Sequence, residues 1–236
     1  MKFTYAPHMA QTFPHLQTGL IVVSNIQNDV DTDAQVHEWE ETAKARFGDE
    51  TESSLPEIQA WRAGYAKMGF KPTQVRCASE ALLRRLRQHG SLPSLHPLVD
   101  LCNAASAMGA LPVAAFDLAK VEGNIQVRPA AGDEQYQTFS GDIETPETDE
   151  IIFCDDGKNV HARRWVNRQS GLSAIQASTS DALIVIEGLH ETAKVDVLAL
   201  RDRLADQISN VWQGRLSKGH IEGAIGSFDT DLRSQT

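Results

Sequence analysis

The sequence predicts an α+β fold in which an irregular, β-rich core of sandwich-like sheets is flanked by helices. Between residues 33 and 108, apolar residues recur every three or four positions, as they do on the buried face of a helix. After residue 110, short apolar runs are separated by Gly, Asp, Pro or Ser, which is typical of strands joined by turns. Helices therefore come first and strands later, without the strand–helix alternation of a parallel α/β sheet.

The elements can be placed in order along the chain. One buried strand is expected at residues 19–25, before a helical N-terminal half whose helices begin near residues 33, 56, 79 and 96. Strands are then expected at residues 111–118, 124–128, 151–154, 160–166 and 183–187, followed by a C-terminal helix over about 194–212. Residues 1–214 are predicted to form a single domain, and residues 215–236 a loosely ordered tail.

Charge is unevenly distributed. The net charge of −10 argues against DNA binding and against a general affinity for nucleic acid. Residues 61–90 nevertheless carry seven basic residues, and a second basic cluster lies within residues 158–168. Such clusters can bind RNA locally, or they can be ordinary solvated faces. The candidate RNA-binding residues are Arg84, Arg85, Arg87, Lys158, Arg163, Arg164 and Arg168.

Several function classes lack their sequence signals. The three cysteines are far apart, so neither a disulfide framework nor a CxxC metal site is predicted, and free thiols suit a reducing cytoplasm. HExxH, P-loop, GxGxxG and GxSxG motifs are absent, and Ala34 stands where a calcium loop needs glycine. No apolar run is long enough to cross a bilayer, and no secretory signal is expected. We therefore expect a cytoplasmic protein without metal, cofactor or membrane contact; its oligomeric state is not indicated.

The stretch from Leu98 to Arg128 carries a dense series of motif residues. It combines VDxxN in a helix, PxxAFD in a strand, a VxG turn and a strand that ends in arginine. The residues are Val99, Asp100, Asn103, Pro112, Ala115, Phe116, Asp117, Val121, Gly123, Val127 and Arg128. This pattern resembles the B3/B4 editing module of the phenylalanyl-tRNA synthetase β subunit. Residues 161–170 and 182–189 resemble its free-standing branch, so the resemblance covers roughly residues 15–190.

The resemblance implies a tRNA-binding fold and a chemistry. In the synthetase, this module hydrolyses the ester that joins a wrongly attached tyrosine to the terminal adenosine of tRNA, and a water attacks without a protein nucleophile. A glutamate in that pocket reads the tyrosine hydroxyl, and Glu187 is its counterpart by position. The synthetase pattern has a histidine before Ala-Phe-Asp; here Ala114 takes its place, which widens the pocket and removes a side chain that could orient the water or the ester.

The candidate site consists of residues from this stretch and from the two downstream segments. The candidate substrate-binding residues are Asp100, Asn103, Ala114, Asp117, Arg128, Trp165 and Glu187, and two of them, Glu187 and Asn103, are the candidates for a catalytic role. Asp100 and Asn103 share a helix face by their i, i+3 spacing. We expect Asp117 to pair with Arg128, either as a polar network that specifies the fold or as part of the site.

Residues 163–168 allow two interpretations. If they are extended, Trp165 lies on the same face as Arg163, where it can stack on a nucleobase. Alternatively, Trp165 belongs to the core and the arginines form surface ion pairs. The central spatial prediction is that Ala114 and Glu187 line one hollow near this arginine-rich segment.

Three functions are compatible with the predicted fold and site. The first is a trans-acting hydrolase (deacylase) of mischarged aminoacyl-tRNA. A second is RNA binding without chemistry, which Ala114 favours and the net charge of −10 disfavours. The third is a pocket for a free amino acid or nucleoside. The sequence names neither the amino acid nor the tRNA.

Overall fold

A computed structural model describes residues 1–47, 50–71 and 73–230. The helices are α1 (Pro7–Thr12), α2 (Asp33–Phe47), α3 (Pro56–Lys67), α4 (Ala78–His89), α5 (Pro97–Gly109) and α6 (Ala193–Val211). The strands are β1 (Lys2–Tyr5), β2 (Gln17–Val23), β3 (Val113–Asp117), β4 (Ile125–Pro129), β5 (Gln135–Gln137), β6 (Ile143–Glu144), β7 (Ile151–Asp155), β8 (Asn159–Arg163), β9 (Arg168–Gln169), β10 (Ala182–Gly188), β11 (Leu216–Glu222) and β12 (Ser227–Asp229). The α+β class is confirmed.

The strands form two sheets within the described residues. The larger sheet has the order β12-β1-β4-β7-β8-β5-β6, with β9 paired to β8. It is mixed, because β1 pairs with β4 and β5 with β8 in parallel, whereas its other pairs are antiparallel. The smaller sheet is antiparallel throughout, in the order β11-β2-β10-β3.

The smaller sheet is the middle layer of the molecule. Every residue of β2 and β10 is buried, so each strand contains an unbroken apolar run, residues 20–23 and 182–186, rather than an alternating pattern. One face of β10, with Leu183 and Val185, packs on the larger sheet and on α3. The opposite face, with Ile184 and Ile186, packs on α5 and α6. Glu187 therefore points between the two sheets, because it follows Val185 by two residues.

The predicted loose tail is wrong for residues 216–222 and 227–229. They form β11, which pairs with β2 along its whole length, and β12, which pairs with β1. Sequence reasoning missed β11 because its pattern is polar and contains a glycine, whereas its order comes from pairing with a strand about 200 positions away in the chain. Residues 231–236 of the predicted tail lie outside the described residues.

Replacing Gly219 by alanine is expected to destabilise the fold by about 1–3 kcal/mol, because the added methyl group would enter space that a neighbouring side chain already fills. A Cβ at this position would lie 2.2 Å from Cδ2 of Phe228 on β12. Ser217→Ala in the same strand is the control, since the buried Ser217 hydroxyl has no hydrogen-bond partner among the residues that the structure describes and its loss costs little. Urea unfolding of both variants measures the difference; equal midpoints for Gly219→Ala and wild type would contradict the packed C-terminal strands.

None of the helices in the described part of the chain is long and apolar enough to span a membrane.

Candidate functional site

A cavity opens between the two sheets, close to the first turn of α4. Ala114 and Glu187 line it together, and Trp165 and Arg168 complete the set of predicted residues around it. Its volume is about 50 Å³. The remaining walls are mostly apolar and include Ala78, Val113, Phe153, Ala162, Val166 and Val185. The structure thus brings Ala114 and Glu187 to one hollow beside the arginine-rich segment, as predicted; their roles stay a prediction.

Strand register explains why these two residues meet. In the antiparallel pair of β10 and β3, Val185 lies opposite Ala114, so the two side chains share the face toward the larger sheet. Glu187 follows on that face two residues later, and its backbone N–H donates to the carbonyl of Pro112. Because both strands are fixed over their whole length by pairing, the cavity wall is rigid at this point.

Glu187 is buried and accepts two hydrogen bonds on the same oxygen. The Tyr5 hydroxyl donates to Oε1 at 2.6 Å, and the Trp165 indole N–H donates to it at 2.9 Å. Among the described residues, none donates to Oε2. Burial raises the pKa of Glu187 to about 7, against the opposing effect of these two hydrogen bonds. A carboxyl group in this condition changes its charge near neutral pH.

Trp165 sits in a turn and not in an extended strand. Strand β8 ends at Arg163, and Arg164 and Trp165 have φ values of 49° and 55°. Of the two interpretations of residues 163–168, the extended alternation is therefore excluded, because two consecutive left-handed residues reverse the chain. The indole is fully buried and makes edge contacts with Phe13 and Trp61, at centroid distances of 4.7 and 4.9 Å. Trp165 is thus a wall of the cavity and a core residue at once.

A protein-family model described as the B3/4 domain matches residues 60–205, which is more than half of the chain. The chain belongs to the B3/4 domain family. The matched region begins and ends later than the predicted 15–190.

Curated relatives of this B3/4 domain are phenylalanine–tRNA ligase β subunits. That of Shewanella oneidensis is 31% identical over 37% of this chain and 11% of the subunit. That of Vibrio cholerae is 36% identical over 42% of this chain and 12% of the subunit, so the chain matches only about an eighth of such a subunit or less. An N-terminal fragment of the phenylalanyl-tRNA synthetase β subunit from Pyrococcus horikoshii aligns with a TM-score of 0.46 at 10% identity, over 91% of this chain and 49% of the fragment. The predicted relationship to the synthetase β subunit is confirmed by the family match and the curated relatives.

Four predicted residues of the B3/4 domain lie elsewhere. Asp100 accepts hydrogen bonds from Ser94 and from the backbone of Leu95, so it orders the loop before α5. Asn103, on the same helix, does not line the cavity.

The predicted pairing of Asp117 with Arg128 is wrong, because each of the two side chains is held by other partners. Asp117 accepts from Thr179 and from the backbone of Ala119. Arg128 binds Glu134 at 2.5 Å instead.

The basic residues of the B3/4 domain differ in how tightly they are held. Arg163 is buried, and its guanidinium binds Glu150 with two hydrogen bonds of 2.8 Å, so it is not available to RNA. Arg84 and Arg87 share Glu52, and Lys158 pairs with Asp133. Arg85 is exposed on α4.

Three partly exposed arginines lie around the cavity with long ion contacts. Arg168 is 3.5 Å from Glu144, Arg164 is 4.0 Å from Glu150, and Arg76 is 3.4 Å from Glu80. Arg168 lines the cavity directly, and the backbone carbonyl of Arg76 accepts a hydrogen bond from the lining residue Asn167. The exposed pair of Arg168 contributes little, and the buried carboxylates of Glu80 and Glu150 each keep a closer arginine partner. The three guanidinium groups can therefore turn to an outside anion at small cost.

Sequence reasoning missed Tyr5, which reaches the site from β1 in the opposite sheet. Its hydroxyl bridges Glu187 and Thr18, with 2.7 Å to the Thr18 hydroxyl. Tyr5 precedes the region that the family model matches, and 182 positions separate it from Glu187. No local pattern in the sequence signals such a contact.

A second polar row has the composition of a catalytic triad but lacks access. His161 lies 2.9 Å from the Ser173 hydroxyl and 3.2 Å from Asp155. Ser173 and His161 are fully buried, and Asp155 also accepts backbone N–H groups of Glu122 and Asn159. This row holds the β7–β8 hairpin in place. No group of three or more His, Cys, Asp or Glu in the described ranges is arranged to bind a metal.

Proposed function

We propose that this B3/4 domain binds the aminoacylated 3′ end of tRNA and hydrolyses the ester, with the amino-acid side chain in the cavity. The observation that carries the proposal is the cavity shared by Ala114, Trp165 and Glu187, whose walls are mostly apolar and contain one buried carboxyl group with a pKa of about 7. A pocket of this kind suits a small organic group with one polar end. Arginines around it suit the phosphates that precede the terminal adenosine.

The reaction requires little from the protein. An aminoacyl ester is activated toward water, so holding it beside an ordered water supplies much of the acceleration. The water oxygen forms a bond to the carbonyl carbon and loses its proton, the bond between that carbon and the ribose oxygen breaks, and the ribose oxygen takes up a proton. In this scheme Glu187 touches the amino-acid side chain and positions the ester, while the chemistry takes place at the cavity mouth.

The direct test incubates the protein with a panel of tRNAs that carry different amino acids and follows the ester by acid-gel electrophoresis. At least one ester is expected to disappear faster than its spontaneous rate. Unchanged lifetimes for every ester, with tRNA still bound, would replace the hydrolase by an RNA-binding module; unchanged lifetimes without binding would remove tRNA altogether.

Arg168→Gln is expected to weaken tRNA binding several-fold and to lower the slope of log K against log salt by about 0.7, the value for one lost phosphate contact on a single strand. The substitution is expected to leave the fold intact because Arg168 is exposed and its contact with Glu144 is long. Arg215→Gln is the matched control. Arg215 is also exposed, but it precedes Leu216, which pairs with Val23 at the end of β2 that is farther from Glu187. Fluorescence anisotropy of labelled tRNA over a salt series measures both. Equal slopes for the two variants would contradict phosphate binding at the cavity mouth.

A further inference from the structure

The cavity is too small for an aromatic ring. A buried water needs roughly 10–15 Å³ of such space, so a volume of about 50 Å³ holds three or four water-sized groups. The six ring carbons and the oxygen of a phenol exceed this room, whereas a side chain of one to three non-hydrogen atoms fills it.

Three walls of the cavity, Trp165, Val185 and Phe153, are fixed by packing. Trp165 is fully buried and held from behind by Phe13 and Trp61. Val185 and Phe153 are 2% and 1% exposed and belong to paired strands of the two sheets. Close-packed walls of this kind transmit strain and do not yield by the width of a ring.

Glu187 supplies the one carboxyl group of the cavity lining that the structure describes, beside the amide side chains of Asn167 and Gln169. Its Oε1 already receives the hydroxyl of Tyr5 and the indole N–H of Trp165, and none of the described residues donates to its Oε2. A hydroxyl group has a single hydrogen to donate and matches this acceptor. An ammonium group would bring three N–H donors into mostly apolar walls, and the unpaired ones would be costly to bury.

We infer that the cavity selects a short hydroxylated side chain, that of serine or threonine, whose hydroxyl donates to Oε2 of Glu187. This inference rests on the proposed function and names the substrate class of the same site. Tyr5 acts as a positioning residue: with Trp165 it occupies Oε1 and fixes the carboxyl group so that Oε2 points to the ligand.

The test compares seryl-, threonyl-, alanyl-, phenylalanyl- and tyrosyl-tRNA as substrates of the wild-type protein. The seryl or threonyl ester is expected to be hydrolysed at least about tenfold faster than the alanyl ester, because the alanyl group leaves Oε2 unpaired. Phenylalanyl and tyrosyl esters are expected to keep their spontaneous lifetimes. Faster hydrolysis of either aromatic ester would overturn the inference and leave the proposed function standing.

A variant and a binding measurement make the test decisive. Ala114→Val adds two methyl groups to the half-buried wall and is expected to lower seryl hydrolysis at least tenfold, while binding of uncharged tRNA reports whether the fold is intact; an unchanged rate would overturn the assignment of this cavity. If no ester is hydrolysed, the proposed function fails, and the inference is judged by adenosines that carry seryl, alanyl or tyrosyl groups in a stable 3′-amide bond. Tightest binding of the seryl analogue supports the inference, and equal or reversed affinities overturn it.

Discussion

Replacing Glu187 by glutamine is expected to lower kcat/KM for the seryl or threonyl ester by about 100-fold, which corresponds to the roughly 1.5–3 kcal/mol of a hydrogen bond to a charged group. The glutamine oxygen can still accept from Tyr5 and Trp165, but its NH₂ group then faces the cavity and cannot accept the substrate hydroxyl. The rate with the alanyl ester is expected to change much less. Single-turnover deacylation of both esters measures the difference, and Glu191→Gln on the exposed loop before α6 is the matched control.

The same variant has a distinct pH signature. Because the pKa of Glu187 is raised to about 7 by burial, a hydroxyl that donates to the ionised form binds more tightly as pH rises through 7. KM for the hydroxylated ester is therefore expected to fall between pH 6 and pH 8 in the wild type and to stay constant in Glu187→Gln. Identical rates and identical pH profiles for the two proteins would contradict a role of Glu187 in binding.

Stability separates this effect from unfolding. A carboxyl group whose pKa is higher in the folded than in the unfolded protein favours folding while it is protonated, so wild-type stability falls as pH rises from about 4.5 to about 7. The side chain of the Glu187→Gln variant does not ionise, so the variant does not lose this stability as pH rises. At pH 8 the variant is therefore expected to unfold at a temperature no lower than the wild type does.

The largest expected effect on stability comes from Arg163→Leu, which is expected to destabilise the protein by about 3 kcal/mol or more. Arg163 is 5% exposed and holds the buried carboxylate of Glu150 with two hydrogen bonds of 2.8 Å. Its third contact is 2.5 Å to Glu144. Without the guanidinium, Glu150 keeps a buried charge that is stabilised only by weaker neighbours.

Two comparisons test that explanation. Burial alone would raise the pKa of Glu150, but the hydrogen bonds and charge of Arg163 outweigh it and lower the pKa. The stability that Arg163 provides through Glu150 is therefore present above pH 4.5 and shrinks as pH falls further. The difference in stability between Arg163→Leu and the wild type is thus expected to become smaller in acid. Arg163→Leu combined with Glu150→Leu is expected to be less unstable than Arg163→Leu alone, and Lys158→Leu at an exposed pair is expected to unfold like the wild type. Equal stability of Arg163→Leu and wild type in a thermal melt would contradict the pairing.

Periodicity predicted the elements that bury a regular face. Helices α2 to α5 and strands β3, β4, β7 and β10 follow from apolar spacing, and the meeting of Ala114 with Glu187 follows once β3 and β10 pair. Apolar spacing could not decide whether Asp117 pairs with Arg128, because it does not show that their strands lie in different sheets.

The site depends on features that lie outside local patterns. Arg164 and Trp165 adopt left-handed backbone conformations without glycine, so no turn residue marks the reversal of the chain there. Tyr5 comes from a four-residue strand, too short for its period to be read. Its place in the site is decided by the parallel pairing of β1 with β4. The carboxyl group that sequence reasoning selected is thus set in position by Trp165, which it also selected, and by Tyr5, which it did not.

The most direct test of the central claim is a crystal structure of the protein with adenosine that carries a seryl group in a 3′-amide bond. The seryl side chain is predicted to lie between Ala114 and Trp165, with its hydroxyl about 2.5–3.0 Å from Oε2 of Glu187. An analogue bound elsewhere, with the cavity between the two sheets still free of it, would contradict the account.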